Sequence, residues 1–224
     1  MSEALEVNGL ELSSAELPHG ESANQITHAL GLALSLLGAA VLVSTVLTTG
    51  DPYRIAGCTV YAFSLVALYA ASTLSHSFAD EARRNFFRML DQVCIFLLVV
   101  GTYTPFGLVH ARHGAWNLIL IGMWLYALVG IGIRISRPAE TLRPQFFLMM
   151  GWLSIPFMFR ACEVSDAAGI SLIVAGGVAY TGGVWFLVND HRHHLYHAVW
   201  HLCTITGSLL HFLYVLNYIV PTAA

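Results

Sequence analysis

The sequence contains no lysine: its ten cationic side chains are all arginine. Charge of either sign is scarce. Only 10% of the 224 residues are Asp, Glu, Lys or Arg, against about 25% in an ordinary soluble domain. The net charge of -3 argues against a nucleic-acid partner, which would require a basic face. No Cys-x-x-Cys pair occurs; Cys58, Cys94, Cys162 and Cys203 stand singly in apolar runs and are read as small core residues. The first twenty residues carry Glu3, Glu6, Glu11 and Glu16 but no arginine, and have no apolar core. They do not read as a secretory signal. Residues 1–20 are expected to form an acidic, partly disordered tail, with residues 21–224 as the structured domain.

What the chain has in abundance is apolar sequence: 57% of its residues are hydrophobic and its mean hydropathy is +0.68. The expected fold class is an all-α membrane protein, a seven-transmembrane helix bundle, since the length accommodates seven crossings of roughly 20 residues. The apolar runs place the spans at about Ile26–Thr48, Ile55–His76, Asp91–Val109, Trp116–Ile135, Gln145–Cys162, Gly169–Val188 and His197–Val220. Between the second and third, Ala79–Leu90 reads as a charged loop. Pro156 should kink the fifth span. Asn189–Tyr196 reads as a polar loop. The runs are too long for strands and do not alternate strictly, which excludes a β-barrel.

Arginine placement gives an orientation. With the N-terminus cytoplasmic, the inside loops hold Arg83, Arg84, Arg88, Arg134, Arg137, Arg143 and Arg192, and the outside loops hold Arg54, Arg112 and Arg160. Seven against three favours the N-terminus in the cytoplasm and the C-terminus outside. In that topology His76, Asp91, His197 and His201 all fall at the cytoplasmic ends of their spans.

Shared depth is a precondition for a shared site. His197 and His201 lie four residues apart, on one face of a helix. His76 adds a third imidazole from another span. Ionisable residues at membrane depth are costly and are functional candidates by default. Three imidazoles with one spare position suit a catalytic Zn²⁺, the spare position being where water binds and is acidified to a pKa of about 7. Asp91 is a candidate general base or a partner that orients an imidazole. Ser72, four residues before His76, is a candidate hydrogen-bond donor to water or to a substrate carbonyl. A helix-local site on the stripe His193, His197 and His201 is the competing arrangement. Asn24 and His28, also four apart, either cap the first span or extend the polar network. His110, His113, His191 and His211 are assigned to loops or packing.

Three separated motifs resemble the hemolysin III family, within the progestin and adiponectin receptor superfamily. They are Glu21-Ser22-Ala23-Asn24-Gln25-Ile26-Thr27-His28, then Ser72-x-x-x-His76-Ser77-Phe78 followed by Asp91, then His197-x-x-x-His201. Gly101-Thr102-Tyr103-Thr104-Pro105-Phe106 and Gly176-Gly177-x-x-Tyr180-Thr181-x-Gly183 strengthen the match. The resemblance implies seven spans and an intramembrane zinc on His76, His197 and His201, with Asp91 holding the bound water and Ser72 nearby; Glu21, Asn24 and His28, at the start of the first span, are candidate outer partners. It disfavours the His193 alternative. The chain departs from bacterial relatives at Gln92, where histidine often follows the motif aspartate. Likeness of the superfamily to alkaline ceramidases implies hydrolysis of a lipid amide or ester, with membrane lipids as partners or substrates. The alternatives are a non-enzymatic sensor or regulator of membrane lipid state, and a pore-forming haemolysin. Small-residue pairs such as Gly182-Gly183 permit close helix packing without fixing an oligomeric state.

Overall fold

The computed structural model describes residues 21–138 and 142–221. The acidic tail expected over residues 1–20 lies outside the described residues, as does the side chain of Glu21. Among the described residues all regular structure is helical: α1 (Glu21–Leu47), α2 (Pro52–Ser75), α3 (Glu81–His110), α4 (Trp116–Ser136), α5 (Pro144–Trp152), α6 (Phe157–Val164), α7 (Ala167–Val188) and α8 (Tyr196–Tyr214). A 3₁₀ turn, Asp190–Arg192, precedes α8, and a π turn, Val215–Ile219, continues it. Six helices are long and apolar enough to cross a membrane, and α5 with α6 supplies a seventh span if the pair, bent by 48°, is one crossing. The chain is an all-helical, multi-pass integral membrane protein.

Local chemistry explains the boundaries. Gly50, at φ 66°, turns the chain after α1. Asp51 then caps α2 by accepting from the Tyr53 and Arg54 amides, and Pro52 at the first helical position needs no N–H partner. The Arg54 guanidinium pairs with Asp51. Its Nε donates to the Ile219 carbonyl at 2.9 Å, which ties this end of α2 to the end of the last span. Asp166 caps α7 through the Gly169 amide.

The segment read as a charged loop, Ala79–Leu90, is largely helix. Asp80 accepts from the Arg83 amide, so α3 starts at Glu81. Phe78 stacks on Phe87 with centroids 5.2 Å apart. The three arginines misled the hydropathy reading, because arginine lowers hydropathy without lowering helix propensity. Asp91 therefore sits nearly three turns inside α3 rather than at its start. The kink expected at Pro156 is a full break, with turns over residues 153–156 separating α5 from α6.

The core runs along α2 and α3. Tyr61, Tyr69, Phe96 and Val100 are fully buried. Their closest approach depends on missing side chains: a Cβ on Gly57 would stand 2.7 Å from the Pro105 Cα, and one on Gly101 would collide with the Ser64 hydroxyl. α1 packs on α2, and α8 packs against α7 and α1; the candidate site forms where α1, α2, α3 and α8 meet.

Candidate metal centre

His76 is the C-cap of α2, while His197 and His201 lie in the first turns of α8. These three residues bring one nitrogen each to within 4.8 Å of one another. Ring centroids are 5.3 Å apart for His76 and His197, 5.2 Å for His76 and His201, and 4.7 Å for His197 and His201. His76 and His201 are buried, and His197 is half-buried. His193, by contrast, precedes α8 in extended conformation. It stacks on His194 and takes no part in the cluster. The helix-local stripe therefore does not form.

Hydrogen bonding selects the nitrogens. Thr27 Oγ1 donates to the Ala23 and Asn24 carbonyls. In the His201 tautomer that keeps the Nε2 lone pair for a metal, Nδ1–H donates to Thr27 Oγ1 across 3.0 Å. The Asp190 carboxylate lies 3.1 Å from His197 Nδ1 and enforces the same tautomer there. Metal-ligating histidines almost always have such a partner on the other nitrogen. Reading the sequence missed both Thr27 and Asp190. Thr27 stands inside the first motif, directly before His28, but threonine hydroxyls in helices usually bond only their own backbone. Asp190 offered no signal beyond being an acid seven residues before a histidine.

The remaining candidates gather around the triad. Asp91, half-buried, lies beside Ser72 and within electrostatic range of His76. The Ser72 hydroxyl is 1% exposed and makes no aligned hydrogen bond. His28 lies against His201 with centroids 3.5 Å apart and the rings tilted by 34°, and neither of its ring nitrogens has a partner. Asn24 Oδ1 is likewise buried without one. Buried polar atoms are nearly always paired, so orphans concentrated at one place call for a water or an ion. The donor set fits a borderline-soft divalent metal held by imidazole nitrogens. Gln92 does not join this group: its Oε1 accepts from Arg134 Nε at 2.6 Å and from the Leu142 amide at 3.3 Å. The departure at that position thus serves the connection between α4 and α5.

A cavity of about 560 Å³ opens from the same cluster. Its near end holds Ser72, Asp91 and His28; it runs between α3, the bent pair and α7 to Tyr103 and His211. Ligand pockets typically occupy about 300–1,000 Å³. Trp152, Ile155, Val174 and Val178 line it and are exposed, so the wall between α5–α6 and α7 opens towards surrounding lipid.

Comparison with known proteins agrees with the motifs. Residues 17–212 match the family described as haemolysin-III related. "Hemolysin-3" of Bacillus cereus is 35% identical over 207 residues, covering 91% of this chain and 94% of the relative. "Hemolysin-3 homolog" of Bacillus subtilis (strain 168) is 32% identical over 202 residues, with 89% and 94% covered. A more distant likeness, 25% over 209 residues with 88% and 84% covered, is to the human "Monocyte to macrophage differentiation factor". With its helices, its histidine cluster and these bacterial relatives, the chain belongs to the haemolysin III family of multi-pass plasma-membrane proteins.

Proposed function

We propose that the protein is a zinc-dependent hydrolase of lipid amides or esters. The observation that carries this reading is the junction of a three-imidazole cluster with an apolar, lipid-facing cavity at Ser72 and Asp91. His76, His197 and His201 would hold the ion, which supplies Lewis acidity at a carbonyl and acidifies water. Asp91 accepts the proton of the attacking water at its carboxylate and returns it to the leaving amine or alcohol. The Ser72 hydroxyl, beside the Asp91 carboxylate, donates to the substrate carbonyl. Thr27 and Asp190 hold the α8 imidazoles in one tautomer. The cavity receives the acyl chain and excludes bulk water. With the N-terminus in the cytoplasm, as the arginines favour, the site lies at the level of the inner headgroups.

The test separates base from ligand. Asp91→Asn keeps the size of the side chain and removes the proton acceptor. Metal content should stay near wild type, while cleavage of labelled ceramide or ester lipid in native-like bilayers falls about 10²–10⁴-fold. Loss of metal together with the fold would make Asp91 a structural ligand. Absence of cleavage by wild-type protein across amide, ester and phospholipid substrates would remove the enzyme reading and leave a regulator of lipid state.

A further inference from the structure

The histidine assigned to packing from sequence has a second character in three dimensions. His211 is 5% exposed and lies on the wall at the far end of the cavity. Its Nε2 lies 3.1 Å from the Ile173 carbonyl of α7. A carbonyl can only accept, so Nε2 carries the proton and Nδ1 the lone pair. The ring is locked in this pose: its Cδ2–Nε2 edge fills the space where Gly176 lacks a Cβ. The opposite edge, with Nδ1, turns away from α7, and Nδ1 has no partner.

The polar groups around it are already matched. Tyr69 donates to Ser208 Oγ at 2.9 Å, and Tyr180 shares that oxygen at 2.7 Å. Ser154 donates to the Gly151 carbonyl at 2.6 Å, and Thr102 donates to the Leu98 carbonyl at 2.7 Å. His211 Nδ1 is thus a buried acceptor, among satisfied neighbours, on the wall of an apolar cavity. An unpaired buried acceptor is expensive, and a donor brought to it gains accordingly.

His211 follows His201 by ten residues on α8, a separation of about 15 Å along a helix. That is about half the ~30 Å hydrocarbon thickness, the reach of one acyl chain. We infer that this end of the cavity is a subsite for a hydroxyl on the lipid chain, with His211 Nδ1 as its acceptor. A hydroxylated acyl chain is therefore the preferred substrate class. With C–C bonds of ~1.5 Å in a zigzag, the hydroxyl falls about twelve carbons from the carbonyl at the metal centre. The inference rests on the lipid-hydrolase reading for the direction in which the chain lies.

Binding, rather than turnover, tests it. Trp152 and Trp200 both line the cavity, so tryptophan fluorescence of the purified full chain reports occupancy. The probes are stearic acid and hydroxystearic acids with the hydroxyl either about twelve carbons along or adjacent to the carboxyl. Wild type should bind the mid-chain hydroxy acid about tenfold more tightly than stearic acid, the value of one buried hydrogen bond. The hydroxyl adjacent to the carboxyl should add nothing. His211→Asn places an acceptor where Nδ1 was and should keep the preference. His211→Gln and His211→Phe should lose it, each binding the mid-chain hydroxy acid and stearic acid alike. Equal affinities in wild type, or a preference surviving in His211→Gln, would overturn the subsite and leave the hydrolase reading standing. Failure of every acid to bind would overturn both.

Discussion

Replacing Thr27 by valine removes one oxygen and keeps the shape. In the metal-binding tautomer that oxygen accepts from His201 Nδ1 at 3.0 Å. His201 is 1% exposed, so water cannot substitute. The metal-free variant relieves the loss by moving the imidazole proton to Nε2. The metal-bound variant cannot, because Nε2 is committed to the ion and Nδ1–H keeps only the Asn24 carbonyl beside it. The loss of one buried hydrogen bond, about 0.5–1.5 kcal/mol, therefore falls on the bound state, and affinity should drop by about two- to twelvefold. Asp190→Asn makes the comparison. That pair is far wetter, with side chains 28% and 42% exposed for His197 and Asp190. An interaction in that setting is worth about 0.2–1 kcal/mol, a loss of at most about fivefold. Chelator competition with zinc on purified protein should rank wild type and Thr27→Ser together, then Asp190→Asn, then Thr27→Val. Wild-type affinity in Thr27→Val, or a larger loss in Asp190→Asn than in Thr27→Val, would refute the tautomer argument.

Two further outcomes follow from other parts of the molecule. Burial pushes the Asp51 carboxyl up, but hydrogen bonds from the Arg54 and Tyr53 amides and the Arg54 guanidinium outweigh it and set its pKa below the ordinary 3.8. A depressed carboxylate stabilises the fold above its unfolded pKa and loses that contribution as pH falls through the folded value. Thermal unfolding in detergent should thus show an acid-induced drop below pH 3.8 that is smaller in Asp51→Asn; identical profiles would contradict the cap's role. For orientation, a C-terminal alkaline phosphatase fusion should be active in a bacterial host and a fusion after Arg84 inactive; the reverse pattern would move the histidine cluster to the outer face.

The spans were legible because their apolar runs are long and the breaks between them carry Gly, Pro and Asp. The triad was legible because His197 and His201 share a helix face and His76 stands at a span end. Two kinds of feature were hidden. The first turns of α3 were masked by Arg83, Arg84 and Arg88, which lower hydropathy without lowering helix propensity. The groups that complete the centre, Thr27 on α1 and Asp190 before α8, act through contacts between segments up to 174 residues apart. No local pattern encodes such a pairing. The cavity was equally hidden, since it arises where the break at residues 153–156 splays α5 and α6 from α7. His211 illustrates the limit best: its sequence neighbours are apolar, and only Ile173 and Gly176 across the helix interface reveal which nitrogen it leaves unpaired.

The central claim is that His76, His197 and His201 hold one zinc ion. Elemental analysis of protein purified from cells without added chelator tests it directly. Wild type should carry about one zinc per chain, as a three-histidine site with a spare position requires, and the double variant His197→Ala with His201→Ala should carry almost none while remaining monodisperse. Stoichiometric zinc in that variant, or none in the wild type after reconstitution with zinc, would contradict it.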